Sequence, residues 1–520
     1  MAADRSASIP GGVWLGAWLG ACAGGLAVAA MLVGQLVAGV PALIDVIGNG
    51  TVVLVPGPIF GALIDSLQER ARPLLVVGST LLILVISAAF GAIMASWSSR
   101  AVASYPGEFA SRRGRAVWRW LLPAVALWVL TLPALALAQG GIATDATGTV
   151  LLDWLLISGL IELLLGSAMG GGAIPGVRAA GRSDLLSRRQ FLVVTGAVAG
   201  VASLGYLGVR VLRATSPPVG VAVGGSATGT LPLGITPTSD FYVVSKNLFG
   251  TPQVDPSTWR LSFGGQAPFA LSYSDLTARA ATDRIQTLEC ISNPVGGTLI
   301  SNGAWSGVPL ADLLSRAKLP TGTTEIVFSC TDGYTESLSL AEATAPTTLV
   351  VTHLNGLKLP AQHGFPARIL VLGHYGMKNP KWLTGVTSAQ TPYLGYWEQE
   401  GWEAAAVPKI FSRFDFPSGS TRLAAGRRYL LTGVAFGGLK GIGKVEVSLT
   451  GGRSWVTAHL QPRLSAYAWT IWSLPWAPPS GLYTLTVRAH DLSGQVQDPS
   501  VQGSFPAGAT GYEQIAAIVS

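Results

Sequence analysis

The chain has few charged residues for its length, and they are unevenly distributed. Only 12% of its 520 residues are charged, about half the share usual in soluble domains, and nearly all of the apolar excess lies before residue 212. A chain of this length also exceeds what one compact core accommodates, so two or more domains are expected. These features predict a membrane part followed by a globular part.

The net positive charge does not indicate a nucleic-acid-binding protein. The formal net charge is +7, but the N-terminal arginines cluster in short loops between apolar runs, as topology-determining residues of membrane proteins do. The chain has no helix rich in Lys and Arg and no basic strand with interleaved aromatics. We therefore expect no nucleic-acid partner.

Cysteine and histidine are also scarce. Cys22 lies inside an apolar run, which leaves Cys290 and Cys330, too few for a disulfide framework and without the Cys-x-x-Cys pair of a thiol redox site or an iron–sulfur cluster. All five histidines lie at or after His353, so none can ligate a haem among the N-terminal apolar runs. There is no Cys-x-x-Cys-His either, and no haem is expected within this chain.

Residues 1–212 are predicted to form about five transmembrane helices. Arginines at 100–119 and 178–189 indicate cytoplasmic loops, which predicts a cytoplasmic N-terminus and a globular part on the other side of the bilayer. The segment 45–72 is interrupted by Gly and Pro, so it is either interfacial or a broken further span. Glu162 is an intramembrane carboxylate, either functional or hydrogen-bonded between helices. The apolar runs long enough to span a bilayer are Trp14–Val40, Pro73–Trp97, Trp118–Ala138, Val150–Met169 and Phe191–Val209.

The last apolar run is preceded by a distinctive basic motif. The residues SRRQFL at 187–192 resemble a twin-arginine export signal, here internal; the alternative is an ordinary basic flank of a membrane helix. Residues 213–239 are rich in Gly, Pro, Ser and Thr and predict a linker. Residues 240–405 alternate short apolar strands with turns and occasional helices, which predicts an α+β domain. Residues 406–520 contain only strand and turn patterns and predict an immunoglobulin-like β-sandwich.

Several segments of the globular part carry a recognisable order of motifs. TLECISNPVGG at 287–297 is followed by AWSGVPL at 304–310, HGFPAR at 363–368, GMKNPKWL at 376–383 and WEQEGW at 397–402. Together they resemble the sulfite oxidase family of molybdopterin-dependent oxidoreductases, from about Asp240 to the C-terminus. The resemblance implies a molybdopterin-binding domain followed by a sandwich that is often a dimerisation domain, which leaves a homodimer open.

The resemblance also implies roles for individual residues. Cys290 corresponds to the thiolate that ligates molybdenum, whereas Cys330 is interpreted as a core or edge residue. Substrate contacts are expected at Lys246 and Lys440, which replace arginines of the family pattern, and at Tyr396, with Tyr393 as an alternative. Lysine keeps the charge but loses the bidentate geometry of arginine, so tight sulfite binding is doubtful. The implied cofactor contacts are Asn247, Cys290, Ser292, Asn293, His363, Arg368, Lys378 and Lys381.

The resulting hypothesis is a membrane-anchored molybdenum oxidoreductase of a prokaryotic cytoplasmic membrane, with its catalytic domain on the extracytoplasmic side. It would transfer an oxygen atom on a small sulfur oxyanion or a similar substrate. Because no haem is expected here, electrons would pass to a separate cytochrome or membrane haem protein. The alternatives are an S- or N-oxide reductase with the same cofactor, a non-catalytic binding protein with a decayed site, and a transporter with an accessory enzyme domain.

Overall fold

A computed structural model describes most of the globular part and two long helices of the N-terminal part. The described residues are 10–38, 71–104, 229–247, 251–418 and 421–520, with isolated helical positions at 59, 63, 125 and 129 and most of 151–161. Several predicted features lie wholly or mostly outside the described residues. They are the spans 118–138 and 191–209, segment 45–72, the motif at 187–192, Glu162 and linker residues 213–228. The chain divides into two compact units, 1–54 with 69–216 and 248–250, and 55–68 with 217–247 and 251–520.

The first unit contains two long apolar helices, α1 (Pro10–Ala38) and α2 (Ala71–Ser104). Within α2, Val77–Ala95 is the one stretch of the described residues long and apolar enough to cross a membrane, and Trp14–Val28 of α1 is a shorter apolar stretch. The predicted spans that begin at Trp14 and Pro73 are therefore helical over much of their length.

The two helices pack antiparallel through small residues. A Cβ atom on Gly20 of α1 would collide with the carbonyl oxygen of Ser87 in α2, and one on Gly91 would collide with the carbonyl oxygen of Gly16. Glycine at these positions lets the backbones approach closely, as in many helix pairs of membrane proteins.

The second unit begins with an α+β region built from two sheets. Its elements are β1 (Arg260–Phe263), β2 (Phe269–Ser272), α3 (Tyr273–Thr277), β3 (Thr282–Glu289), β4 (Ile300–Pro309), α4 (Leu310–Ala317), β5 (Glu325–Cys330), β6 (Thr335–Ser339), α5 (Leu340–Thr344), β7 (Leu349–Leu354), β8 (Leu357–Lys358), β9 (Arg368–Leu370), β10 (Leu383–Ala389) and α6 (Tyr396–Gln399). Short 3-10 helices cover Ala361–His363 and Gly376–Lys378.

One of these sheets has the order β2-β1-β10-β5-β6, in which only the β1–β10 pair is parallel, and the other has the order β3-β4-β7-β8, with β9 also on β7. The amphipathic helix α4 places Leu310, Leu313 and Leu314 on one core with Phe328 and Leu383. A second core contains Cys290 with Trp305 and lies against the other sheet. The predicted α+β class is confirmed.

The C-terminal region is a sandwich of two sheets, ordered β11-β13-β17-β16 and β12-β19-β18-β14-β15. Trp472 of the first sheet and Val487 of the second share a buried core, which confirms the predicted β-sandwich. A 3-10 helix covers Gly438–Lys440. The strands are β11 (Phe411–Phe416), β12 (Arg422–Leu423), β13 (Tyr429–Phe436), β14 (Lys444–Ser448), β15 (Val456–Thr457), β16 (His459–Leu460), β17 (Thr470–Trp476), β18 (Gly481–His490) and β19 (Glu513–Val519).

Candidate active site

Cys290 directly follows β3 and opens a tight loop. Its N–H donates to Leu299 O at 2.9 Å, and its carbonyl accepts from Asn293 N at 3.0 Å. The Asn293 side chain closes the loop: its Oδ1 accepts from Leu299 N, and its Nδ2 donates to Glu289 Oε1, each at 2.9 Å. The loop therefore holds the thiol in a position determined by buried hydrogen bonds.

The Cys290 thiol is buried in the core that contains Trp305 and has a polar neighbour in Ser292. Its Sγ lies 3.0 Å from Ser292 Oγ. Burial raises the pKa of Cys290, against the lowering effects of Ser292 and of the Lys381 charge. A cysteine that ligates a metal does so as a thiolate, and the positive charge of a bound metal would oppose this effect of burial.

Arg368 and His363 are buried against aromatic residues that share the core of Cys290: Arg368 lies over the Trp305 ring, and His363 contacts Phe241. Arg368, at the start of β9, donates from Nη2 to Asn379 O at 2.9 Å and from Nη1 to His363 O at 3.3 Å. Burial lowers the pKa of Arg368 to about 10, which leaves it charged at neutral pH. Burial, Lys381 and Arg368 lower the pKa of His363 to about 3, so His363 is neutral and can offer an uncharged ring nitrogen.

Lys381 joins three segments of the site. Its Nζ donates to Val244 O at 2.9 Å and to Gln362 O at 3.1 Å, and its charge acts on the Cys290 thiol. Arg368 Nε is buried without a hydrogen-bond partner among the residues that the structure describes. An unsatisfied buried N–H is costly, and an anionic group of a bound cofactor would satisfy it. A buried soft thiol beside these cations therefore fits a phosphate-bearing pterin that carries molybdenum.

Lys378 has different surroundings. Its Nζ forms ion pairs with Glu336 Oε1 at 2.9 Å and with Glu398 Oε1, and donates to Ser337 O at 3.3 Å. Burial alone would lower the pKa of Lys378, but the two carboxylates outweigh it and raise that pKa. The structure thus places Lys378 in an internal ion-pair cluster, and its expected phosphate contact stays a prediction.

Lys246, Asn247 and Tyr396 come together at another part of the site. Lys246 is buried, and its Nζ lies 5.2 Å from the centre of the Tyr396 ring. Asn247 Nδ2 donates to Asp332 Oδ2 at 2.9 Å. Burial lowers the pKa of Lys246, while Asp332 and then Cys330 oppose that effect. Asp332 is therefore a member of this group that the motifs did not reveal, because it lies in an ordinary turn after β5.

Lys440 lies elsewhere, whereas Cys330 lies in the core next to the Lys246 and Asp332 group. Lys440 is exposed on the sandwich, where its Nζ donates to Gln495 Oε1 at 3.1 Å. None of its contacts among the described residues is with Lys246 or Tyr396. Cys330 ends β5 and packs in the core with Phe328, in agreement with its interpretation as a core residue.

Two further buried residues border Cys290 and were not predicted. Tyr242 lies fully inside, and burial, followed by the charge of Cys290, raises its pKa well above its usual value. Burial also raises the pKa of Glu289 to about 8, and its Oε2 has no partner in the described part of the chain. In the sequence, Glu289 is marked as a possible site residue only by its position next to Cys290. Tyr242 is marked only by the aromatic pair that it forms with Phe241.

Two family models match the second unit. The model described as the oxidoreductase molybdopterin binding domain matches residues 248–397, and the Mo-co oxidoreductase dimerisation domain matches 417–503. Mitochondrial sulfite oxidase of Rattus norvegicus is 29% identical over 320 residues, which cover 51% of this chain and 58% of the rat protein. A protein of Azospira oryzae, named "Putative protein-methionine-sulfoxide reductase subunit YedZ1", is 30% identical over 152 residues, 29% of this chain and 56% of that protein.

Among solved structures, the sulfane dehydrogenase SoxCD of Paracoccus pantotrophus aligns with a TM-score of 0.49 and 20% identity, over 58% of this chain and 85% of that one. The matches to the two sequence relatives span little more than half of each relative's length. The two domain matches define a molybdopterin-dependent oxidoreductase. These matches agree with the predicted resemblance to the sulfite oxidase family and with its molybdopterin cofactor class.

Proposed function

We propose that this chain transfers an oxygen atom between water and a small sulfur or nitrogen compound, with Cys290 as the metal ligand. The proposal depends chiefly on one observation: a buried thiol, fixed by its loop, lies beside Lys381 and a buried Arg368 with an unsatisfied Nε. A non-catalytic protein has no need to keep such a costly arrangement.

The residues divide into those that hold the cofactor and those that face the substrate. When bound, molybdopterin supplies two-electron oxygen-atom chemistry. Arg368 would receive its phosphate, His363 would donate or accept a hydrogen bond as a neutral ring, and Ser292 and Asn293 would keep the Cys290 loop closed around it. Lys246 and Tyr396 would contact substrate, and Asn247 would support Lys246 from the adjacent position. The buried surroundings of Cys290 also exclude water from its sulfur.

Two partners follow from this proposal. Each turnover moves two electrons, and no haem motif occurs in the chain, so a separate cytochrome or membrane haem protein would exchange them singly. The match to a dimerisation domain over 417–503 supports a homodimer formed through the sandwich.

Attachment to a prokaryotic cytoplasmic membrane is the second part of the proposal. The apolar stretch Val77–Ala95 and the close packing of α1 on α2 support it, as do the five apolar runs and the arginine-rich loops of the sequence. The catalytic domain would lie on the extracytoplasmic side, where the motif at 187–192 would direct it after cofactor insertion.

Molybdenum content and electron paramagnetic resonance test the chemical part. The purified full-length protein should contain molybdenum and give a Mo(V) signal on partial reduction with dithionite. Cys290→Ser should abolish the signal and at least most of the metal, because a hydroxyl is a poor ligand for a soft site. Cys22→Ser is the matched control, since it makes the same change at a buried cysteine of the first unit, and it should keep both. Protein that carries no molybdenum would favour a binding protein with a decayed site.

Protease accessibility tests the location. A protease added to intact spheroplasts should cleave a tag placed after Ser520, whereas a cytoplasmic marker protein should stay intact. Protection of the tag until the membrane is opened would place the catalytic domain in the cytoplasm and would contradict this part of the proposal.

A further inference from the structure

We infer that Glu398 is a positioning residue for Tyr396, because its buried carboxylate ties the short helix α6, which carries Tyr396, to the 3-10 helix at Gly376–Lys378. The inference rests on the proposed function, in which Tyr396 contacts the substrate, and deepens it by naming the residue that sets where the Tyr396 hydroxyl lies. Three observations carry it: the shortness of α6, the two contacts of the Glu398 carboxylate, and the packing of the 3-10 helix against the residue before Cys290.

The helix α6 is too short to hold its own position. It comprises only Tyr396–Gln399, and a single helical turn is not stable without contacts to the rest of the protein. Gly395 precedes it and offers no side-chain acceptor to the N–H groups of the first turn. The Tyr396 ring is half-buried, and its centre lies 5.9 Å from that of Tyr334. A small rotation of α6 would therefore move the Tyr396 hydroxyl within the site.

Glu398 attaches this helix to the rest of the domain. Its Oε2 accepts from Gly395 N at 2.8 Å, at the beginning of α6, and its Oε1 forms an ion pair with Lys378 Nζ. Only 2% of the Glu398 side chain is exposed, so solvent and salt screen these contacts little. One carboxylate thus joins α6 to the 3-10 helix.

Close packing brings α6 directly onto the ion-pair cluster of Glu336, Lys378 and Glu398. A Cβ atom on Gly395 would lie 2.6 Å from Glu336 Oε1, and Glu336 is fully buried. Its Oε1 accepts from Lys378 Nζ at 2.9 Å, and its Oε2 accepts from Tyr334 Oη at 3.1 Å. A side chain at position 395 would displace that carboxylate, so glycine permits the approach.

The 3-10 helix connects the cluster to the metal side of the site. Lys378 is its last residue and Gly376 its first. A Cβ atom on Gly376 would lie 3.4 Å from Glu289 O, and Glu289 directly precedes Cys290. The contacts of Glu398 therefore couple the position of α6 to that of the Cys290 loop.

The coupling matters because a hydrogen-bond donor to a substrate has to be placed to within about 0.5 Å. Burial raises the pKa of Tyr396, so its hydroxyl stays protonated and can donate to an oxygen atom of the substrate. A displacement of about 1 Å can reduce a rate about a hundredfold. Glu398 should therefore affect the reaction through Tyr396 and not through the cofactor.

The test compares Glu398→Gln with Glu336→Gln in the molybdenum-loaded full-length protein. Both variants remove one carboxylate of the same cluster and leave Lys378 paired with the other. The amide in Glu398→Gln has one oxygen, so it cannot accept from both Gly395 N and Lys378 Nζ. The amide in Glu336→Gln can keep the contacts of Oε1 and can donate to Tyr334 Oη, so α6 stays attached. Glu336→Gln is therefore the matched control.

Hydrogen exchange measures the attachment directly and needs no substrate. The backbone amides of a peptide covering residues 393–400 should exchange about tenfold faster in Glu398→Gln, as expected when a hydrogen bond to a charged group is lost. In Glu336→Gln they should exchange within about twofold of the wild type, because the bond to Gly395 N is kept.

Steady-state kinetics measures the consequence for the reaction. The assays are sulfite oxidation with ferricyanide and dimethyl sulfoxide reduction with reduced viologen, and kcat/KM is compared for whichever reaction the wild type catalyses. Glu398→Gln should lower kcat/KM about ten- to a hundredfold at unchanged molybdenum content, and Glu336→Gln should lower it much less. In a Tyr396→Phe background Glu398→Gln should cause almost no further loss, because a residue that acts through another has no effect once that other is removed.

Each outcome has a definite meaning. Unchanged exchange at 393–400 in Glu398→Gln, equal losses of kcat/KM in the two variants, or a full further loss in the Tyr396→Phe background would overturn the positioning role and leave the proposed function intact. Loss of molybdenum from Glu398→Gln would also overturn it, since Glu398 would then serve the cofactor or the fold as a whole. A wild type without molybdenum, or without either activity, would overturn the proposed function and the inference together.

Discussion

The substitution Lys378→Met tests whether the Lys378 ammonium stabilises the fold, by pairing with Glu336 and Glu398, or binds the cofactor. The three charged side chains are almost wholly buried, with 8% of Lys378, 0% of Glu336 and 2% of Glu398 exposed. Because one ammonium cannot compensate two buried carboxylates, burial keeps the pKa of Glu336 raised, at about 7. Removing the lysine would leave both carboxylates uncompensated, a change that typically costs about 3–5 kcal/mol. Protonation of Glu336 would recover part of that loss.

The assay is chemical unfolding of the cofactor-free protein, followed by the near-ultraviolet signal of its tryptophans. We expect Lys378→Met to lower the free energy of unfolding of the second unit by about 3 kcal/mol or more. The double variant Lys378→Met/Glu336→Gln should recover much of this loss, because it removes one of the two uncompensated charges. Lys381→Met is the control, since Lys381 donates to the backbone carbonyls of Val244 and Gln362, and it should lower stability less.

If Lys378→Met unfolds like the wild type without cofactor but fails to retain molybdenum, then its ammonium serves the cofactor and not the Glu336–Glu398 pair. The cluster seen here would then rearrange when the cofactor binds.

Three further predictions address other parts of the chain. Gly91→Leu should weaken the packing of α1 on α2 and lower the yield of folded protein in detergent, whereas Gly78→Leu on the same helix, where a Cβ meets nothing within 4 Å, should not. Arg368→Lys should reduce molybdenum content several-fold, because lysine cannot fill the planar, buried position of the guanidinium; retention of full metal content would contradict the phosphate role. Hydrogen bonds from Lys444, His490 and Arg488 outweigh burial and lower the pKa of Glu446 to about 2. Its folded-state pKa therefore lies below the unfolded value, so the contribution of Glu446 to stability is present above the unfolded pKa and is lost as pH falls toward 2. The Tm difference between the wild type and Glu446→Gln should shrink over that pH range. A Tm difference that stays constant would count against a stabilising role of the Glu446 carboxylate.

Sequence reasoning recovered what local motifs encode and missed what long-range contacts decide. The Cys290 loop is local: Asn293 and Leu299 close it within ten residues, so its pattern is visible in the sequence. Lys378 and Lys381 occur in one motif and look equivalent, yet the first meets Glu336, 42 residues away, and the second meets Val244. Asp332 shows the same limit, since a turn aspartate acquires its role only when Asn247 folds against it.

The C-terminal sandwich is hydrogen-bonded directly to the Cys290 loop and to the strand before it. Within the second unit, Trp469 N donates to Thr287 Oγ1 on β3 at 2.9 Å, and Thr287 N donates to Tyr467 O at 3.0 Å. Arg413 Nη1 of β11 donates to Gly297 O, at the far end of the Cys290 loop, at 3.0 Å. The strand that delivers Cys290 and the loop that presents it are thus both hydrogen-bonded to the sandwich. A side chain is positioned only as precisely as the residues that hydrogen-bond to its loop. The sandwich therefore contributes to the position of the Cys290 thiol, and a substitution that destabilises the sandwich should also weaken metal binding.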